Sequence, residues 1–324
     1  MRVLFVASKK SDYLQDLCYA GLVEVLGKSN VLDHPRKLNY HLPTRRYPKN
    51  MGYQKGFPPI STIANFQPDL VVVGACKADA VERFYQLSPK LQTSTPCVWI
   101  DGGDRPDIGG DLARLGRTDL QERLLRDSPF NLIFKREMIE THTYGPTVKP
   151  FPLGLRSDFL PAPVGDLKYD LLFWATPSHD DRRLTFKMLE GKYDCDQNGS
   201  VPYKRPKAFN YRGQQYLKEM SRARISLNVR GGGWDTLRFW EALGMGSFML
   251  SQKLPLVLPH PPISGNELVW LNEDLSDLYE KTDYYLAHPE QRAAIAERGK
   301  AWVLAHHDQR ARAKQLLQAV APLI

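Results

Sequence analysis

Cysteine is scarce: the 324 residues hold four, Cys18, Cys76, Cys97 and Cys195, and no two form a CxxC pair. That scatter argues against a disulfide framework or a zinc site and fits a reducing, cytoplasmic setting. No apolar run approaches the roughly 20 residues of a membrane span. The opening MRVLFVAS turns polar too soon for a secretory signal. No GxGxxG precedes a first helix and no GxxxxGK[ST] occurs, so the dinucleotide and P-loop readings are weak. Internal repeats and low-complexity tracts are missing too. What remains is a globular composition, 42% hydrophobic and 10% aromatic. The length suits two domains and a core that needs no covalent staple. Lys and Arg number 44 against 36 Asp and Glu, a formal charge of +8, which points to an anionic partner without naming it.

Strand-like and helical patterns alternate along the chain. A buried strand is expected over residues 3–7, then a helix carried by Leu14, Leu17, Cys18, Leu22, Val25 and Leu26. Further strands are expected at 70–73, 97–100 and 132–134, with helices around 79–87 and 120–125. Four prolines in 149–164 mark a linker or an irregular crossing. A second series follows: strands at 171–175, 225–229, 247–251 and 268–271, and helices at 181–189, 216–221, 236–243, 275–286, 289–306 and 307–321. This is an α/β pattern of two Rossmann-like, doubly wound halves. Ligands of such sheets sit at the carboxyl ends of the strands.

One segment stands out, Arg230-Gly231-Gly232-Gly233-Trp234-Asp235-Thr236-Leu237-Arg238-Phe239-Trp240-Glu241. It follows an expected strand and opens an expected helix at Thr236. Its three glycines let a ligand approach the backbone, and their N–H groups with the helix start suit a diphosphate. Arg230 and Arg238 supply positive charge, and Glu241 lies on the helical face of Arg238, where a carboxylate can accept from ribose hydroxyls. The plainer alternative is a glycine turn with an Arg–Glu helix pair. Arg182 and Arg183 follow another strand end and form a second basic pair, or an ordinary solvated helix face. Nearby His179 reads as a turn residue.

This part of the chain resembles the C-terminal domain of GT-B glycosyltransferases, most closely the spore-maturation-type, family-1-like group. The similarity rests on Arg238, Glu241-Ala242 and Gly246 before a strand, on Pro289 and Arg292, and on residues 307–313. It extends to 99–104, 134–137 and 150–154 in the first half. The resemblance implies two Rossmann-like domains facing a central cleft: 1–155 on the acceptor side and 165–306 binding the nucleotide-sugar. A C-terminal helix, 307–324, would cross back to the first. It implies transfer of a sugar from a nucleotide diphosphate, UDP being the expected carrier, to an acceptor hydroxyl. No metal is expected, and no cofactor beyond the nucleotide-sugar co-substrate. Family members that retain configuration carry E-x7-E; here Gly233 stands at the first position, which leaves the stereochemistry open.

The donor candidates are then Arg182, Arg183, Arg230, Gly231, Gly232, Gly233, Thr236, Arg238 and Glu241. Arg238 is also a catalytic candidate through its charge on the leaving diphosphate. An inverting reaction needs a base. Asp101 and Asp104 follow the strand at 97–100 and are the candidates, with a capping turn as the alternative. Their spacing, Asp-Gly-Gly-Asp, is poor evidence for a metal. His34, His41 and His142 are further options for the base, each with a structural alternative. Segment 34–60 holds six basic residues and no acid, interleaved with aromatics. Arg45, Arg46, Tyr47, Lys49, Tyr53 and Lys55 are the acceptor-binding candidates; they suit a polyanion or a sugar, unless the segment is simply a solvated loop. Two other functions compete: glycosylation of hydroxymethylated pyrimidines in DNA, and a non-catalytic nucleotide- or polyanion-binding scaffold. No integral membrane association is expected, and a basic surface against anionic lipid is left open.

Overall fold

The computed structural model describes residues 1–43, 47–48, 50–54, 56, 62–192 and 213–324. The chain divides into two units: Met1–Gly154 with Leu256–Pro259 and Gln309–Ile324, and Leu155–Pro255 with His260–Asp308.

Unit 1 runs β1 (Val3–Val6), α1 (Tyr13–Leu26), β2 (Val31–His34), α2 (Leu38–His41), α3 (Ile63–Phe66), β3 (Leu70–Val73), α4 (Ala78–Leu87), β4 (Cys97–Asp101), α5 (Gly110–Arg114), α6 (Thr118–Asp127), β5 (Leu132–Lys135) and β6 (Val148–Pro150). All pairings are parallel, in the order β2-β1-β3-β4-β5-β6. β1 and β3 are buried throughout, as a sheet covered on both faces requires. The order reverses between β1 and β3, so their carboxyl ends form the switch point of this sheet.

Two strands escape the sequence pattern, and both are edges. β2 reads Val-Leu-Asp-His and is only alternately buried, so it lacks a continuous apolar run. β6 ends in Pro150 inside the proline-rich stretch; an edge strand tolerates the missing N–H. The stretch is therefore not a free linker. Leu155 N donates to His307 O at 2.8 Å and Val164 N to Ser221 Oγ at 2.9 Å, which ties 155–164 into unit 2.

Unit 2 contains β7 (Tyr169–Leu172), α7 (Asp180–Leu189), α8 (Gln214–Met220), β8 (Ala223–Asn228), α9 (Leu237–Gly244), β9 (Phe248–Gln252), β10 (Val269–Leu271), α10 (Leu278–Ala287) and α11 (Pro289–His306). Its parallel sheet has the order β10-β9-β8-β7 among the described residues. The core gathers Leu171, Phe173, Ile225, Leu227, Phe248 and Leu250 from the strands with Phe186, Leu189, Leu278 and Ile295 from the helices.

The last helix, α12 (Gln309–Val320), belongs to unit 1 and lies along α1. The approach is close enough to exclude a side chain at Gly21, where a Cβ would fall 1.9 Å from Gln309 O. Buried Arg312 locks the helix by donating to Pro152 O and Leu153 O at 2.9 Å each. No helix among the described residues is long and apolar enough to cross a membrane.

Candidate functional site

β8 ends at Asn228, and the chain then makes a tight glycine turn before entering α9. Gly231 N donates to Gly233 O at 2.9 Å inside the turn. Thr236 caps the helix, its hydroxyl accepting from Phe239 N while donating to Asn228 Oδ1 at 2.7 Å. The hydroxyl thus fixes the turn's far end to the strand that began it. Asp235 accepts from Trp240 Nε1 at 2.8 Å, which buries the one acid of the turn in a structural bond. Gly231 and Gly233 are buried and Gly232 is exposed. The Arg230 guanidinium lies over the Trp234 ring, 4.0 Å from its centroid.

Arg182, in the first turn of α7, reaches this glycine turn. It is 6% exposed and donates to Val229 O through Nε (3.3 Å) and Nη2 (3.2 Å). A Cβ on Gly231 would fall 2.8 Å from Nη2, so glycine is what lets the guanidinium lie against the backbone. Burial first, and then the positive charge of Arg238, pull the Arg182 guanidinium down from its ordinary value to about 9. Arg238 leaves its Nε and Nη1 buried with no hydrogen-bond partner among the described residues. Tyr216, from α8, joins the same group. Burial and then the Glu241 carboxylate hold its hydroxyl well above its ordinary value, against the opposing pull of Arg238 and Arg182. Glu241 itself is 3% exposed. Two like charges are therefore held close together, one buried and one half-buried, an arrangement that an anionic ligand would relieve.

Arg183 does not join them. It turns outward on α7, ion-paired with Asp180 and donating to Pro177 O at 2.9 Å. Consecutive helix residues are about 100° apart, so only one of the two arginines can face inward. His179 caps α7, accepting from Asp181 N at 3.2 Å.

In unit 1 the Asp101 carboxylate is fully buried, its Oδ2 held by Lys135 Nζ at 2.8 Å and by Gly109 N at 2.9 Å, which pins the loop after β4. Asp104, on that loop, is partly exposed and ion-paired with Arg136 at 2.9 Å. Arg136 also donates to Gly102 O at 3.0 Å. His41 is spent on Asp33 at 3.0 Å in a buried pair, and His34 is half-buried, its imidazole lowered by burial and by Arg83. His142 is exposed and stacked near Tyr144. Of the acceptor candidates, Tyr47 is buried and Tyr53 half-buried, while Arg45, Arg46, Lys49 and Lys55 lie outside the described residues. No group of three or more His, Cys, Asp or Glu able to hold a metal occurs among the described residues.

Tyr216, Trp234, Gln252 and Arg136 were not singled out from the sequence. Arg136 and Gln252 stand at strand carboxyl ends, the positional rule that selected Asp101, and Trp234 lies between two arginines of the glycine turn. Tyr216 sits on another helix and carried no local signal.

Residues 183–318 match a family model described as glycosyl transferase-like. No curated protein sequence matches the chain. Many solved structures share its fold, three of them as follows. A sucrose-phosphate synthase from Thermosynechococcus elongatus is 13% identical, with a TM-score of 0.62, over 100% of this chain and 99% of that one. Anabaena HepE in complex with UDP is 10% identical, TM-score 0.59, over 99% and 100%. An alpha-glucosyltransferase in complex with UDP and a 13-mer DNA is 11% identical, TM-score 0.58, over 99% of each. Residues 183–318 thus carry a glycosyl transferase-like match, and the chain as a whole has the GT-B fold of these solved structures.

Proposed function

We propose that the protein transfers a sugar from a UDP-sugar to an acceptor hydroxyl, with the donor held by unit 2. The carrying observation is the close pair of guanidiniums beside the glycine turn, Arg182 buried against Gly231 and Arg238 half-buried. A diphosphate placed there is neutralised by both guanidiniums and receives N–H groups from the turn and the start of α9. Glu241, one turn further along α9, takes the ribose. The leaving diphosphate gains negative charge as the glycosidic bond breaks, and fixed cations and amides stabilise that charge without a metal. Asp104, the partly exposed carboxylate on the loop after β4, is the more accessible of the two carboxylate base candidates. The structures of HepE with UDP and of the alpha-glucosyltransferase with UDP agree with this donor class. A thermal-shift screen of nucleoside diphosphates tests it: UDP raises the melting temperature, and UDP is released from a UDP-sugar on turnover. No shift with any nucleotide overturns it.

A DNA acceptor is a second reading, favoured by the distribution of charge. Unit 1 carries 24 basic and 16 acidic residues, net +8, whereas unit 2 carries 20 of each. The whole excess thus lies in the unit that does not hold the donor. The alpha-glucosyltransferase with a DNA complex has the same fold. Duplex affinity should then fall steeply with salt, while UDP affinity changes little. Transfer to DNA that is undetectable, with no salt slope in binding, removes this reading.

A further inference from the structure

At the carboxyl end of β9, Gln252 is fully buried, and its amide bonds to three separate segments. Oε1 accepts from Arg230 N at 3.2 Å. Nε2 donates to Asp181 Oδ2 at 2.9 Å and to Glu273 O at 2.8 Å. These partners are the start of the glycine turn, the first turn of α7 and the loop after β10. Both amide hydrogens are committed, and the carbonyl oxygen takes a backbone N–H. An apolar side chain would fill this interior position without such demands, so the amide's contribution is geometric.

What it fixes is specific. Asp181 precedes Arg182, whose guanidinium lies against Gly231. Arg230 opens the turn that Thr236 closes, and Thr236 is tied through Asn228 to Ser251, the neighbour of Gln252 on β9. The carboxyl end of β9 thus holds both ends of the turn as well as the first turn of α7. We propose that Gln252 is a positioning residue for the diphosphate site, setting the spacing between the Arg182 guanidinium and the N–H groups of the glycine turn. This rests on the reading of that site as a nucleoside-diphosphate pocket.

The test exploits the amide–carboxylate pair. Gln252→Glu places a second carboxylate against Asp181 and the Glu273 carbonyl, and UDP affinity measured by calorimetry should fall by about tenfold, the size expected for a mispaired buried polar group. The reciprocal double variant, Gln252→Glu with Asp181→Asn, restores the 181–252 pair with donor and acceptor exchanged but not the bond to Glu273 O, and part of the lost affinity should return. A loss due only to poor packing would not be rescued by a change at half-exposed Asp181. Asp181→Ala, which removes the acceptor from a half-exposed position, gives a folded comparison and should also weaken UDP. With the donor varied at saturating acceptor, the donor KM should change more than kcat. If wild type binds UDP and a folded Gln252→Glu or Asp181→Ala variant binds it equally well, the positioning role is wrong while the pocket stands. Failure of the folded double variant to regain affinity also overturns it. If wild type binds no UDP, the pocket reading fails, and this inference with it.

Discussion

Arg238 is placed at a cost to the folded protein, and replacing it with methionine should make that cost measurable. Its Nε and Nη1 are buried without hydrogen-bond partners among the described residues, and its charge depresses the neighbouring Arg182. Each unpaired buried donor costs about 1–3 kcal/mol. Against this stands the attraction between Arg238 and the nearby Tyr216 hydroxyl, worth about 1 kcal/mol at most. Arg238→Met removes both unpaired donors and the like-charge repulsion, and keeps most of the aliphatic volume. The ligand-free protein should therefore gain about 1 kcal/mol or more, a rise in melting temperature of about 2–4 °C for a unit of this size. Ligand response should move the other way. At a UDP concentration of about 100 Kd, wild type gains about 2.7 kcal/mol by mass action. The variant should show almost none of that shift at the same concentration. Differential scanning fluorimetry with and without UDP reads both quantities in one experiment. A variant that melts lower than wild type without ligand, yet keeps the full UDP shift, refutes the reasoning on both counts.

Glu241→Ala should weaken UDP binding or turnover by about tenfold, roughly 1.4 kcal/mol, and an unchanged kcat/KM in the folded variant would sink the ribose assignment. Gly231→Ala brings a methyl to 2.8 Å from Arg182 Nη2, so the guanidinium must shift; KM for the donor should rise while the melting temperature changes little. Lys135→Met leaves Asp101 buried and unpaired, which should destabilise by about 3–5 kcal/mol in a denaturant titration. The companion Asp101→Leu change should recover much of that loss, and a Lys135→Met protein as stable as wild type would refute the structural role of the pair.

Most element positions were legible in the sequence because parallel strands buried on both faces appear as unbroken apolar runs. β1, β3 and β4 have that form. The two strands without it are edges, where half the residues face water or a proline is tolerated. Site residues divided along a similar line. The glycine turn, Arg238 and Glu241 were visible because they are contiguous and lie between a strand and a helix. Arg182 and Arg183 looked equivalent as neighbours, and only the seating of α7 on the sheet turns one inward. Asp101 and Asp104 likewise share a loop, yet Lys135 encloses the first and Arg136 holds the second at the surface.

The sequence by itself determined the α/β alternation, the glycine turn ahead of a helix and the total charge of +8, because each is written in neighbouring residues or in composition. Only the tertiary structure decided that the entire excess charge lies in unit 1, that Arg182 and Arg238 come together with Tyr216, and that Gln252 ties three loops together. Those facts depend on segments tens of residues apart meeting at the carboxyl ends of parallel strands, and no local pattern encodes which side chains meet there.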